Sequence, residues 1–255
     1  MKRVIYVPVL VSIFQILFFC NAEAQIGEHR NDFAVGVNSG YILSNVGFMP
    51  KVTQNMHSGA TLGVSVRYTC EKYFSTVCAI AAEFNYSNVG WDENIVDINN
   101  ASVINTTTGK AEKYSRTLHY LQVPVFAHLG WGREEKGLQF FFQAGPQFGY
   151  FIGQSTNTNF TLSNYNSKDR SNSNVAQDTM SVENKIDYGI AVGLGLEYSN
   201  RHLGHFLLEG RYYYGLGNIY GDSKRDYFSK SNIGNIVIKL TYLFDIIKTN
   251  NVKIK

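Results

Sequence analysis

The residues of this chain that can do chemistry are few and scattered. His57, His119, His128 and His205 supply imidazoles, yet no pair of them has the H-x-x-x-H or H-E-x-x-H spacing of a metal-binding helix. No metal site and no cofactor are expected. Gly193-Leu194-Gly195 superficially resembles a phosphate-binding turn, but it lacks the third glycine and no helix follows. Packing around small residues is its plainer role. Asp92-Glu93 reads as a solvated acidic pair in a polar loop. His119 near Ser115 would place a base and a hydroxyl where together they could attack a lipid ester. Six charges stand inside otherwise apolar segments: Arg67, Arg211 and Lys239 against Glu83, Glu197 and Glu209. Three charges of each sign suit ion pairing. Cys70 and Cys78 flank Glu71 to Val77 and could close a disulfide in an oxidising compartment, or stand as two free, small apolar residues.

The background to these residues is hydrophobic. The chain has 255 residues, with 14% aromatics and only 17% charged residues, against about 25% charged in an average soluble domain. That balance excludes a disordered chain and a disulfide scaffold, and a net charge of +3 lacks the basic excess of a nucleic-acid binder. Lys2-Arg3, the apolar run Val4 to Phe19 and Ala22-Glu23-Ala24 read as a signal peptide over residues 1–24, cleaved before Gln25. A retained membrane helix and a lipoprotein anchored at Cys20 are the alternatives.

Beyond Gln25 the dominant signal is alternation. In Gly137 to Ile152, Leu138, Phe140, Phe142, Phe148 and Tyr150 alternate with Gln139, Gln143, Gln147 and Gly149. Asp187 to Ser199, Gly59 to Thr69 and Asn235 to Phe244 repeat the pattern. Asp32 to Tyr41, Val77 to Asn88, Thr117 to Gly130 and Leu203 to Leu216 complete eight predicted strands. Their connections alternate long and short, with the first one long. A soluble sandwich has no reason for that asymmetry, whereas an outer-membrane barrel has short periplasmic turns and long extracellular loops. The fold class expected is all-β: an eight-stranded antiparallel up-and-down transmembrane barrel over residues 25–245, followed by a short basic tail, 246–255. A soluble periplasmic β-protein is the alternative.

The two faces then acquire roles. Tyr68, Trp131, Tyr198, Tyr242 and Phe244 fall near the periplasmic strand ends, and Tyr41, Tyr86, Tyr150, Tyr188 and Tyr214 near the outer ends, as two aromatic girdles. The six charges share the other face, with Arg67 and Glu83 on neighbouring strands. An eight-stranded barrel is only wide enough for side chains to fill it, so a plugged, charge-paired lumen is expected. A Cys70–Cys78 link would set Ser65 opposite Glu83.

Four segments resemble one family in order along the chain. Tyr120-Leu121-Gln122-Val123-Pro124-Val125 is similar to a YLEIP-type strand opening, and Ala144-Gly145-Pro146-Gln147-Phe148-Gly149-Tyr150 to an AGP-x-x-G strand. Asp187 to Glu197 matches D-x-G-x-x-x-G-x-G-x-E, and Leu208 to Leu216 matches E-x-R-Y-x-x-G-L. These are features of the PorT-like outer-membrane β-barrel family of Bacteroidota, and the likeness runs from about residue 30 to 245. It implies a barrel akin to the OmpA and OmpX membrane domains, in a family of varied roles whose founding member serves protein secretion. Asp245 to Lys255 depart from the pattern by following the final Phe244, and leave no room for a periplasmic peptidoglycan-binding domain.

The function expected is a non-enzymatic, monomeric outer-membrane barrel, surrounded by outer-membrane lipid. The polar segments Thr156 to Asn184 and Asn218 to Ser231, with Lys168-Asp169-Arg170 and Lys224-Arg225-Asp226, either keep the rim hydrated or contact envelope or secretion proteins or surface glycans. A small-solute channel and a rim-site lipid enzyme are the alternative functions.

Overall fold

The computed structural model describes residues 28–248 apart from 134, 135, 162, 172, 173, 201, 202, 222, 224 and 225. The predicted signal peptide with Cys20, the charges Lys224 and Arg225 and most of the tail lie outside the described residues.

Eight long strands carry the fold: β1 Glu28–Met49, β2 His57–Tyr73, β3 Thr76–Glu93, β4 Tyr114–Gly132, β5 Lys136–Thr158, β6 Ile186–Asn200, β7 Gly204–Gly215 and β8 Lys230–Ile247. Each pairs antiparallel with its neighbours in sequence, and β1 pairs with both β2 and β8, closing the sheet. Closure leaves no strand edge facing lipid, the condition a spanning sheet must meet. Among the described residues no helix is long and apolar enough to cross a membrane.

Alternation decides which way each residue points. Along β6, Tyr188, Ile190, Val192, Leu194, Leu196 and Tyr198 are exposed on the outer wall, while Asp187, Gly189, Ala191, Gly193, Gly195 and Glu197 are buried inside. From Tyr188 to Tyr198 the chain advances ten residues. At about 3.3 Å per residue and a tilt of about 40°, that spans about 25 Å, the height of an outer-membrane apolar band.

The strands do not stop at that band. β1 continues eight residues past Tyr41 to Met49, and β5 runs past Tyr150 to Thr158. There a register shift between His119 and Tyr120 on the paired strand puts Gln154, Thr156 and Thr158 opposite the inward Leu118, Arg116 and Tyr114 and turns the polar Ser155 and Asn157 outward. Ile42, Ser44, Val46 and Phe48 sustain the inward alternation, so pairing persists above the lipid. The first connection is therefore only 50–56, not the long loop expected. It includes a two-residue strand, Gln54–Asn55, paired to the end of β3. The remaining outer connections between the strands are 94–113, 159–185 and 216–229, against the short connections 74–75, 133–135 and 201–203 at the other end.

Candidate functional site

The lower lumen is a layer of charge. Arg211 Nη1 and Nη2 donate to the two carboxylate oxygens of Glu83, both at 2.9 Å, and Arg211 Nε donates to Glu209 Oε1 at 2.8 Å. Lys239 Nζ donates to Glu83, and Arg67 donates twice to Glu197, at 2.6 and 3.0 Å. All six side chains are buried. They are brought together, but not as strand adjacency suggested: Arg67 reaches across from β2 to β6 instead of joining its neighbour Glu83. Across the β2–β3 pair Arg67 stands opposite Ala81, and its long side chain finds a two-point carboxylate on the far wall.

Several members of the layer had no sequence signal beyond lumen parity. Gln143 Nε2 donates to Glu209 at 2.7 Å and Asn85 Nδ2 to Glu83 at 2.8 Å. His205 lies between two carboxylates, Nδ1 2.7 Å from Glu197 and Nε2 3.1 Å from Asp245. Phe126 lies under the Arg211 guanidinium at 4.4 Å. The glycines of β6 make room for this packing. A Cβ on Gly193 would lie 2.2 Å from Glu209 Oε1, and one on Gly195 2.6 Å from Phe141.

Above the charge layer the barrel is closed again, by an apolar core. Ile42, Val46 and Phe48 of β1, Val89 and Trp91 of β3, and Leu118 and Tyr120 of β4 pack with Phe160, Ile219, Tyr220 and Phe228 from the outer loops. The loops that read as hydrated rim are thus a folded lid. Their apolar residues were visible in the sequence, but without periodicity they carried no direction. Arg116 of β4 fastens the lid, donating to the carbonyls of Gln177 at 3.0 Å and Met180 at 2.7 Å, to the Tyr220 hydroxyl at 3.1 Å and to Gln154 Oε1. Within the lid, Arg170 donates to Glu112 Oε2 at 2.7 Å while lying over the rings of Phe160 and Tyr165. Glu112 Oε1 also accepts from Asn105 and from the Asn166 amide, and these charged and neutral donors hold its carboxyl below the usual range despite burial.

Asp92-Glu93 ends β3 instead of lying in a loop, and although Asp92 keeps part of its exposure to solvent both carboxylates have partners. Asp92 Oδ1 accepts from Ser115 Oγ at 2.5 Å and lies 2.7 Å from His57 Nδ1, while Glu93 accepts from the buried Gln177 at 2.8 Å. The His119–Ser115 pair of the rim-enzyme alternative does not form. His119 Nδ1 lies 2.8 Å from both the Tyr86 hydroxyl and Asn88 Oδ1, and its ring stacks on Tyr86. His57 instead has Thr117 Oγ1 3.1 Å from Nε2, giving a hydroxyl–imidazole–carboxylate row above the band. Among the described residues no three His, Cys, Asp or Glu side chains gather to hold a metal.

Cys70 and Cys78 are free thiols. A bulge between Thr69 and Glu71 leaves Cys70 outside the register and places Cys78 opposite Glu71, correcting the register a disulfide would impose, although Ser65 does stand opposite Glu83. Tyr68, Tyr198, Tyr242 and Phe244 are exposed on the outer wall toward the short turns, and Tyr41, Tyr86, Tyr150, Tyr188 and Tyr214 toward the loops. Trp131 is half-buried, its Nε1 donating to Thr76.

A closed eight-stranded wall that is apolar outside and charged within is a transmembrane β-barrel. A family model described as outer membrane protein beta-barrel domain matches residues 23–221. The chain belongs to that family, and its place is the bacterial outer membrane. No curated protein matches it. Similar solved structures include Ail of Yersinia pestis, in complex with the heparin analogue sucrose octasulfate, at 13% identity over 84% of this chain and 99% of that one, with a TM-score of 0.33. Neisserial surface protein A aligns at 9% identity over 83% and 97%, TM-score 0.39. OprG of Pseudomonas aeruginosa aligns at 13% over 86% and 98%, TM-score 0.38.

Proposed function

We propose that this protein is a monomeric, non-enzymatic and non-conducting barrel whose folded lid presents a contact surface outside the cell. The observation that carries this reading is the double closure: an ion-paired layer in the lumen and, above it, an apolar core built from the loops. A lid held by Arg116, Arg170 and Glu112 is a shaped surface, and ordered surfaces bind with less loss of entropy than mobile loops. The resemblance to the PorT-like family of Bacteroidota supports envelope or secretion proteins as the partners, ahead of surface glycans. Export through a cleaved signal peptide, residues 1–24, belongs to the same reading.

In-cell photo-crosslinking tests it. A photoreactive side chain at Ile98 or Lys168, both exposed on the lid, is expected to give discrete protein adducts, while one at Leu194 on the lipid wall is not. Lid positions that cross-link nothing would contradict a contact role. The row of Thr117, His57 and Asp92 favours the rim-enzyme alternative most, so lipid A composition is the control. It is expected to be the same in wild type, His57→Ala and His119→Ala cells, and a change in either variant would replace the non-enzymatic reading.

A further inference from the structure

Where the lid meets the barrel wall, charge does not balance unless a proton is counted. The hydrogen bonds of the buried Arg116 guanidinium end on neutral groups: Gln154, the Gln177 and Met180 carbonyls, and the Tyr220 hydroxyl. Arg170 is matched by Glu112. Two acids remain at this seam: Asp178, the last residue of the 3-10 turn Ala176–Asp178 in the lid, which faces Arg116 and Arg170, and Glu93, at the end of β3 and above the lipid band, which faces Arg170. Three ionised carboxylates, Glu93, Asp178 and Glu112, against the two guanidinium groups of Arg116 and Arg170 would leave a net negative charge in a largely buried site, and a single proton neutralises it.

The hydrogen bonding points the same way. Both carboxyl oxygens of Asp178 are buried with no donor reaching them. Two carboxylates cannot bond to each other, but a protonated Glu93 supplies the donor. Gln177, fully buried, already donates to Glu93 Oε1 and to the Asn174 carbonyl, which fixes the lid's turn against β3. The Tyr114 hydroxyl, on a side chain only 4% exposed and facing both acids, also lacks a partner.

We propose that one proton shared between Glu93 and Asp178 latches the lid to the barrel, so that the lid is closed in acid and neutral surroundings and loosens as the pair ionises. The proposal rests on the loops forming a closed lid and is independent of the partner. Burial and the adjacent Asp178 push Glu93 up to about 8, and burial pushes Asp178 up to about 6. In a detached lid both acids would titrate near their ordinary values of about 4. The closed lid therefore binds more protons between about pH 4 and 8, and closure is favoured at the acid end and lost through the upper end, by up to tenfold per pH unit. The other groups facing the pair are Tyr114 and Arg116 from β4, Tyr220 from 216–229 and Arg170 from the lid. Burial pushes both tyrosines upward, so they stay neutral throughout this window.

The test is amide hydrogen exchange over residues 174–182 of the full-length protein in phospholipid nanodiscs at pH 6 to 9, corrected for intrinsic rates. The wild-type opening equilibrium is expected to rise at least tenfold across that range. Glu93→Gln, and independently Asp178→Asn, are expected to abolish the rise. Unchanged wild-type protection would overturn the latch, as would a pH dependence that survives in both variants. Protection that follows added calcium chloride instead of pH would make the pair a cation site and also overturn it. Bilayer current stays absent at pH 9, because the charge layer lies beneath the lid, so failure of the latch and failure of the sealed-barrel reading are read separately.

Discussion

Replacing Glu83 by glutamine puts the charge layer under its sharpest strain. Glu83 is the shared acceptor for Arg211 and Lys239, which are 4% and 1% exposed. The substitution keeps the side chain's shape but leaves three cations against Glu197 and Glu209, and neither Lys239 nor Arg211 can escape to water. Removing one partner of a buried ion pair costs about 3–5 kcal/mol, because the remaining charge stays desolvated. At a slope of about 3 kcal/mol/M, that lowers the urea midpoint by about 1–2 M. The assay is urea unfolding in lipid vesicles, followed by the change in gel migration of unheated samples. The double variant Glu83→Gln/Lys239→Met restores neutrality, and should recover most of the loss. A Glu83→Gln midpoint within 0.3 M of wild type (about 1 kcal/mol at the same slope) would refute the reasoning. So would a double variant no more stable than the single, since loss of charge balance would then not be the cause.

Two further outcomes follow from the geometry. Gly193→Ala would place a Cβ 2.2 Å from Glu209 Oε1, and is expected to cost about 1–3 kcal/mol as overpacking in the same unfolding assay; an unchanged midpoint would mean Glu209 moves freely. Because Cys70 and Cys78 are free, maleimide under denaturing conditions without reductant should label both thiols, whereas resistance relieved only by a reductant would reveal a disulfide.

The sequence made the wall legible and the closure only in part. Strict alternation in β5, β6 and β8 placed Leu194 outside and Glu197 inside, because period 2 translates directly into a face. It cannot say which inward charge meets which. Arg67 and Glu197 are separated by 130 positions and meet only because the sheet curls shut. The lid was hidden for a different reason. Phe160, Tyr220 and Phe228 lie in polar, aperiodic segments, where an isolated aromatic carries no direction. His57 and Glu93 were likewise assigned to solvent or to no partner. Their neighbours come from β4 and from the 159–185 loop, neither of which is adjacent in sequence.

The most direct measurement of a sealed barrel is current through the purified full-length protein in a planar bilayer at neutral pH. The expected result is no conductance step of general-porin size, because the Arg211–Glu83–Lys239 and Arg67–Glu197 pairs fill the lumen beneath a folded lid. Reproducible steps of that size from the wild-type protein would contradict it and restore the small-solute channel.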